Sequence, residues 1–408
     1  MFVYREGRLY CEEVNLADIA IETGTPCYVY SSRSILNAYR AYDKAFGAAP
    51  HMICYAVKAN STLAVLSLLA RAGSGFDIVS GGELYRVIKA GGDPARVVFS
   101  GVGKTDEEME YALNMGIACF NCESEAELGQ LDKVACRLGV KARFSLRVNP
   151  DVDAVTHPYI STGLKDHKFG IDIEEAAGVY ERAKIYGNIE AAGVGCHIGS
   201  QILDYSSIIE AAHKVIRLVE SNKSIRHLDF GGGLGIAYHD GETTPDVSEF
   251  VSALLAGVGD RGLKVMIEPG RSIVGAAGVL LTKVLQRKKS PSKEFVVVDA
   301  AMNDLIRPAL YKAHHEILPL KESPADQMMA DVVGPICETG DFLARDRRLP
   351  LLDTGDFLAV ATAGAYGFVQ ASNYNSRPRA AEVLVEGDTW RIVRDRENFD
   401  DLIRGERI

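Results

Sequence analysis

The run His51-Met52-Ile53-Cys54-Tyr55-Ala56-Val57-Lys58-Ala59-Asn60 decides how the rest of the chain is read. Met52 to Ala56 are apolar or nearly so, the pattern of a strand covered on both faces in a parallel sheet. Lys58 stands where that strand ends. Lysine is depleted in strands and seldom fully buried unless paired. On this stretch alone two readings stay open. The amine can simply reach water along its own aliphatic stem. It can also stand at the catalytic mouth of an α/β sheet, committed to a covalent Schiff base.

Outward from this strand a rhythm begins. Strand-like apolar runs recur at 75–79, 97–100, 117–121, 144–148, 193–198, 227–230 and 265–268, which makes eight with the first. Helical spacing fills the gaps, for example over 62–72, 83–90, 106–114, 123–138 and 205–220. Eight strand–helix units over roughly 240 residues are what a closed (β/α)8 TIM barrel requires. A doubly wound open sheet is the alternative, and it rarely needs eight units so evenly spaced. Upstream, Ile35, Tyr39, Tyr42 and Phe46 share one face of a helix over 32–46. Beyond Gly275 the pattern turns to strands near 280–284, 295–298, 357–360 and 382–385, with one helical piece at 303–311. The fold class expected is α/β: residues 1–25 give a strand associated with a β domain, 26–275 a cofactor-binding barrel, and 276–408 a C-terminal mostly-β domain.

Composition narrows the function. A chain of 408 residues, 47% apolar, suits a large domain plus a smaller one. A formal charge of -10 argues against a nucleic-acid or anionic-membrane partner. The eight cysteines read as reduced, packed thiols, and Cys119 and Cys122, a lone CxxC in an apolar run, as core rather than zinc or redox residues. The N-terminal Met1-Phe2-Val3-Tyr4-Arg5-Glu6-Gly7 lacks a secretory pattern, and no apolar stretch approaches bilayer length, so a soluble, cytoplasmic protein is expected.

In a (β/α)8 barrel the active site lies at the C-terminal ends of the strands, and phosphate is commonly held after strands seven and eight. Here strand seven runs into Gly231-Gly232-Gly233-Leu234-Gly235 and strand eight into Glu268-Pro269-Gly270-Arg271. Adjacent glycines let backbone N–H groups close on an anion. The run is not a dinucleotide fingerprint, because Ile236 stands three residues after Gly233. Gly101-Val102-Gly103-Lys104-Thr105 imitates the end of a P-loop, but Val98 occupies the place of the motif's first glycine. Lys58, His197, Ser200, Glu268 and Arg271 all fall at strand ends facing one mouth. A lysine, a glycine-lined phosphate site and a carboxylate together suggest pyridoxal 5'-phosphate, with the carboxylate keeping the pyridine nitrogen protonated. His197, on a strand rather than in a loop, could stack flat on the ring, although standing alone it would read as a satisfied core histidine.

At this point the sequence resembles a known family. Tyr55-Ala56-Val57-Lys58-Ala59-Asn60, His197-Ile198-Gly199-Ser200, the glycine run, Glu268-Pro269-Gly270-Arg271 and Cys337-Glu338-Thr339-Gly340-Asp341 look like the ordered signature of the barrel-type, alanine-racemase-like pyridoxal-phosphate decarboxylases, closest to their diaminopimelate branch. The resemblance covers about residues 22 to 385; Thr339 stands where the family usually has Ser. It implies a barrel plus a β domain, pyridoxal phosphate, and a head-to-tail homodimer with shared active sites. It also implies decarboxylation of meso-2,6-diaminopimelate to L-lysine and CO2, the last step of lysine biosynthesis. Motif by motif, Lys58 carries the cofactor, His197 stacks on it, and Glu268 pairs with the ring nitrogen. Ser200, Gly231, Gly232, Gly233, Gly270, Arg271 and Tyr366 lie around the phosphate or the substrate. Cys337 is the proton donor, and it and Glu338 come from the partner subunit. Arg271, Arg307, Tyr311, Glu338 and Tyr366 contact substrate.

The substrate also has a physical argument. A distal carboxylate suits an arginine fork and a distal amine suits a carboxylate. Arg307 and Tyr311 lie one helical turn apart and can share a face. On residues alone, Arg307 reads better as a solvated helix residue. The rivals are a decarboxylase of ornithine, arginine or carboxynorspermidine, a non-catalytic relative, and a racemase. Asn149-Pro150-Asp151-Val152-Asp153 with His157 and His167 imitates a metal loop, but no metal site is expected. The remaining histidines, His314 and His315 among them, are expected on the surface.

Overall fold

The computed structural model describes residues 2–152, 168–239, 241–323 and 326–408. The chain forms two compact units. One comprises Ala38–Ile236 and Thr243–Ser272; the other comprises Met1–Asn37, Ala237–Glu242 and Ile273–Ile408.

The first unit is the expected barrel. Its strands are β1 (His51–Ala56), β2 (Gly75–Ile78), β3 (Val97–Phe99), β4 (Cys119–Cys122), β5 (Ala142–Asn149), β6 (Ile189–Gly195), β7 (His227–Asp229) and β8 (Lys264–Ile267). Every neighbouring pair is parallel, and β8 pairs with β1 through Ile267 and Ile53, so the sheet closes. Met52 to Ala56 are all buried, as the apolar run requires.

Local chemistry fixes where the chain turns from strand to helix. Ser80, Thr105 and Ser124 accept the backbone N–H of Glu83, Glu108 and Glu127, capping the helices Gly81–Lys89, Asp106–Met115 and Glu125–Leu138. The side chain of Glu108 returns to the Thr105 N–H, completing a capping box. The P-loop look-alike therefore contains a helix start. Its Lys104 is buried, with Nζ 2.6 Å from Glu127 Oε1 and 2.8 Å from Asn121 O. Each strand thus delivers its C-terminal end, and the loop after it, to one mouth.

The second unit is built on the long strand Gly278–Lys289. It pairs antiparallel with Cys27–Ser31, Glu294–Val298 and Phe357–Val360, while Ala381–Glu386 runs parallel to Cys27–Ser31. Residues 2–15 form a separate three-stranded sheet. Cys27–Ser31, expected at the head of the barrel segment, belongs to this β unit. All five of its residues are buried, so it needs a neighbour on each edge and cover on each face. The helix expected over 303–311 is confined to Arg307–Tyr311. Pro308 lacks an N–H and tolerates only the first turn of a helix, so the helix cannot begin at 303. Strands Ile317–Pro319, Gln327–Val333, Phe342–Pro350 and Thr389–Arg394 complete the unit, and the sequence pattern does not predict them.

Candidate active site

Lys58 follows β1 in the short 3-10 turn Val57–Ala59. Its amine donates to Asp77 Oδ2 on β2, while its side chain stays 34% exposed; Asp77 is fully buried. The amine is therefore held in place yet open on one side. The lysine is paired at the barrel mouth rather than extended into bulk water.

Glu268, just beyond β8, is buried in the same mouth. It accepts from Asn121 Nδ2 at 3.1 Å and Ser100 Oγ at 3.4 Å. Burial, then repulsion from Asp229 and Asp77, pushes its carboxyl well above the usual range. Asp229, at the end of β7, is pushed up by the same burial. Three buried carboxylates converge here, and Asp77 Oδ1 and Asn121 Oδ1 have no hydrogen-bond partner among the described residues. Buried acids with unsatisfied acceptor atoms call for a group that brings positive charge and N–H donors.

The glycine loops lie beside them. Gly231 N–H donates to Asp229 Oδ1 at 2.9 Å, and Gly232 N–H to His197 Nδ1 at 3.2 Å. A Cβ on Gly232 would lie 2.2 Å from Glu268 O, so this loop closes on the next one at a separation that only glycine permits. Gly233, at φ +114°, adopts backbone rarely open to other residues. Because His197 Nδ1 accepts, its proton sits on Nε2. Burial, then the Arg147 and Lys58 charges, holds the ring's pKa well below its ordinary value, so it is neutral. Arg271 is buried and donates from Nη2 to Ser200 Oγ at 3.0 Å, and Gly270 packs against Ala56 and Ala59 beside the lysine turn. A lysine amine, a neutral imidazole, a protonatable carboxylate and glycine loops in one mouth suit pyridoxal phosphate in their chemistry.

The remaining expected residues belong to the β unit. Arg307 is buried, its Nη1 lies 2.8 Å from His315 Nε2, and its guanidinium carbon lies 4.5 Å above the Tyr238 ring. Tyr311 lies at the far end of the same short helix and accepts from Gln370 Nε2 at 3.4 Å. In the loop carrying Cys337 and Glu338, Asp341 accepts the N–H groups of Met302 and Ile336, each at 2.7 Å, and Cys337 N–H donates to Asn375 Oδ1 at 2.8 Å. That clamps the backbone and leaves the Cys337 thiol exposed. Tyr366 sits at φ +55°, a turn conformation uncommon for a tyrosine.

Two histidine expectations are corrected. His315 is wholly buried, and His227 lies inside β7 with only 9% exposure. The first is taken inside by a backbone carbonyl and an arginine, the second by a strand buried on both faces. Asp77, Asp229, Asn121 and His315 were missed. The signal available was an acid inside a strand otherwise apolar, Gly75-Phe76-Asp77-Ile78 and His227-Leu228-Asp229. Among the described residues no group of three or more His, Cys, Asp or Glu is arranged to hold a metal. Asp153, His157 and His167 lie outside the described residues. Cys119 and Cys122 are buried and unbonded to each other.

Comparison with known proteins agrees with this geometry. Residues 32–275 match the family model described as the pyridoxal-binding domain of pyridoxal-dependent decarboxylases. Barrel and site together therefore define a pyridoxal-phosphate-dependent carboxy-lyase. Diaminopimelate decarboxylase of Vibrio cholerae is 55% identical over 407 residues, covering 98% of this chain and 97% of the relative. The Pseudomonas aeruginosa enzyme of the same name is 55% identical over 411 residues, covering 100% and 99%. The crystal structure of Helicobacter pylori diaminopimelate decarboxylase complexed with L-lysine superposes with a TM-score of 0.92 at 45% identity, covering 96% and 98%. The chain belongs to the diaminopimelate decarboxylase family.

Proposed function

We propose that this protein removes the carboxylate from one end of meso-2,6-diaminopimelate, releasing CO2 and L-lysine as the last step of lysine biosynthesis. The observation that carries the reading is Lys58, pinned by Asp77 in a mouth lined by Glu268 and the glycine loops, in a chain similar over its whole length to diaminopimelate decarboxylases. Pyridoxal phosphate, when bound, supplies an electron sink for the pair left behind as CO2 departs. Lys58 would hold it covalently through its side-chain amine. Glu268 presents a carboxyl to the ring nitrogen, and the nearby Asp229 and Asp77 charges favour a cation there. His197 offers the flat face of a neutral ring. The loops of Gly231 to Gly233 and Gly270, with Ser200 and Arg271, would receive the phosphate, the Gly231 and Gly232 N–H groups being themselves committed to Asp229 and His197.

The distal end of the substrate is a zwitterion. Arg307 and Arg271 fork its carboxylate, Glu338 takes its amine, and Tyr311 and Tyr366 line the site. Cys337 delivers the proton to the carbon that has lost CO2. Cys337 and Glu338 are exposed on their own unit, which supports a homodimer in which each copy completes the other's site. No helix among the described residues is long and apolar enough to cross a membrane, in keeping with a cytoplasmic place of action. The test is CO2 release and lysine formation from meso-diaminopimelate against ornithine, with and without added pyridoxal phosphate. Cofactor-dependent turnover of the diamino diacid alone is expected; preference for ornithine overturns the substrate assignment.

A further inference from the structure

We propose that His315 is a positioning residue. It holds the Arg307 guanidinium in the orientation that receives the distal carboxylate of the substrate. The inference rests on the substrate reading above and goes beyond it to a residue that touches no substrate.

The hydrogen-bond logic fixes its state. His315 Nδ1 lies 2.8 Å from Ala361 O, and a carbonyl only accepts, so Nδ1 carries the hydrogen. Nε2 then keeps its lone pair and lies 2.8 Å from Arg307 Nη1, which only donates. One neutral tautomer satisfies both bonds. An imidazolium would set a second N–H against the guanidinium, and the opposite tautomer would break both contacts. The bond itself leaves the arginine's charge intact, which a carboxylate partner in the same place would not.

The frame around this pair is rigid. Ala361 N–H donates to Glu316 O at 2.9 Å, tying the anchoring carbonyl to the next segment. The Tyr238 ring meets His315 edge to face, centroids 5.3 Å apart, and lies 4.5 Å beneath the Arg307 guanidinium. The guanidinium is thus held by a ring on one face and an imidazole at one edge.

His314 is engaged differently. Its Nε2 lies 2.8 Å from Glu316 Oε1, its Nδ1 lies 2.8 Å from Arg347 Nη2, and its ring meets His239. His314 therefore serves the outer network of Glu316, Arg347 and His239, while His315 serves the inner one of Arg307 and Tyr238. Arginine is a flexible side chain, and a guanidinium already held in place loses less freedom when the substrate arrives.

The test compares three variants of the holoenzyme by steady-state kinetics on meso-diaminopimelate and by the cofactor's absorbance. His315→Asn keeps a donor for Ala361 O but offers no acceptor at the place of Nε2. His315→Gln can put an amide oxygen there. Arg307→Met removes the guanidinium. Losing one bond to a charged group is expected to raise KM in His315→Asn roughly 10- to 100-fold, with kcat and absorbance little changed. His315→Gln should recover most of that loss, and Arg307→Met should raise KM at least as much as His315→Asn. Equal KM values in the Asn and Gln variants, or a fall in kcat or in bound cofactor without a rise in KM, overturn the positioning role. An unchanged KM in Arg307→Met overturns the substrate reading and this proposal with it. A raised KM in Arg307→Met beside an unchanged KM in His315→Asn overturns the positioning role alone.

Discussion

Replacing Gly232 with alanine tests the phosphate cradle. The added Cβ would stand 2.2 Å from Glu268 O and 3.1 Å from Glu268 C, both backbone atoms that cannot rotate away. A carbon–oxygen contact needs about 1 Å more than this, so one of the two loops has to move by that amount. The loops are tied together by the Glu268 N–H bond to Gly231 O at 2.8 Å, so the movement strains or breaks that bond as well. Overpacking of this kind costs about 1–3 kcal/mol, which corresponds to roughly 5- to 150-fold weaker cofactor binding if the native cradle is the binding form. Titration of cofactor-free protein with pyridoxal phosphate, followed by absorbance, measures it. Gly187→Ala is the control, because nothing lies within 4 Å of its added Cβ. Wild-type affinity in Gly232→Ala would refute the reasoning, as would equal loss in Gly187→Ala.

Two further outcomes follow from the same geometry. Cys337→Ala should leave cofactor binding intact while slowing lysine formation on the order of 10²-fold, read by spectrum and turnover together; unimpaired turnover removes the thiol from the proton transfer. His227 is pushed down from 6.5 to about 4 by its burial and then by the Lys264 ammonium. A histidine with a lowered folded pKa stabilises above its unfolded value and loses that stability as pH falls toward the folded one. Between pH 6.5 and 4 the parent should lose up to about 3 kcal/mol that His227→Gln keeps. Melting curves that stay parallel across that range count against the assignment.

The barrel was legible because most of β1 to β8 contain a short apolar run closed by turn or capping residues, and eight such runs alternating with helices imply parallel closure. Where a strand begins was less legible. β6 starts at Ile189, with Glu190, Ala191 and Ala192 carrying no apolar alternation. Its backbone bonds to β5 form regardless of those side chains. Cys27–Ser31 joins the β unit through partners about 250 and 350 residues away, which no local pattern records. Lys58, His197, the glycine run and Glu268 could be named because each stands at a strand end. Asp77 and Asp229 belong to the strands themselves, and their part in the site, holding the Lys58 amine and the Gly231 N–H and adding charge beside Glu268, shows only once three carboxylates are brought together. His315 looks like half of an exposed pair until Ala361, 46 residues on, supplies the carbonyl that buries it.

The central claim is that the amine of Lys58 binds the cofactor covalently. Reduction of the pyridoxal-phosphate-loaded protein with borohydride, then mass mapping of its peptides, reads this directly. The expected result is one reduced pyridoxyl group per chain, on Lys58, and none in Lys58→Ala. A label on Lys104 or any other lysine, or full labelling of Lys58→Ala, would contradict the account.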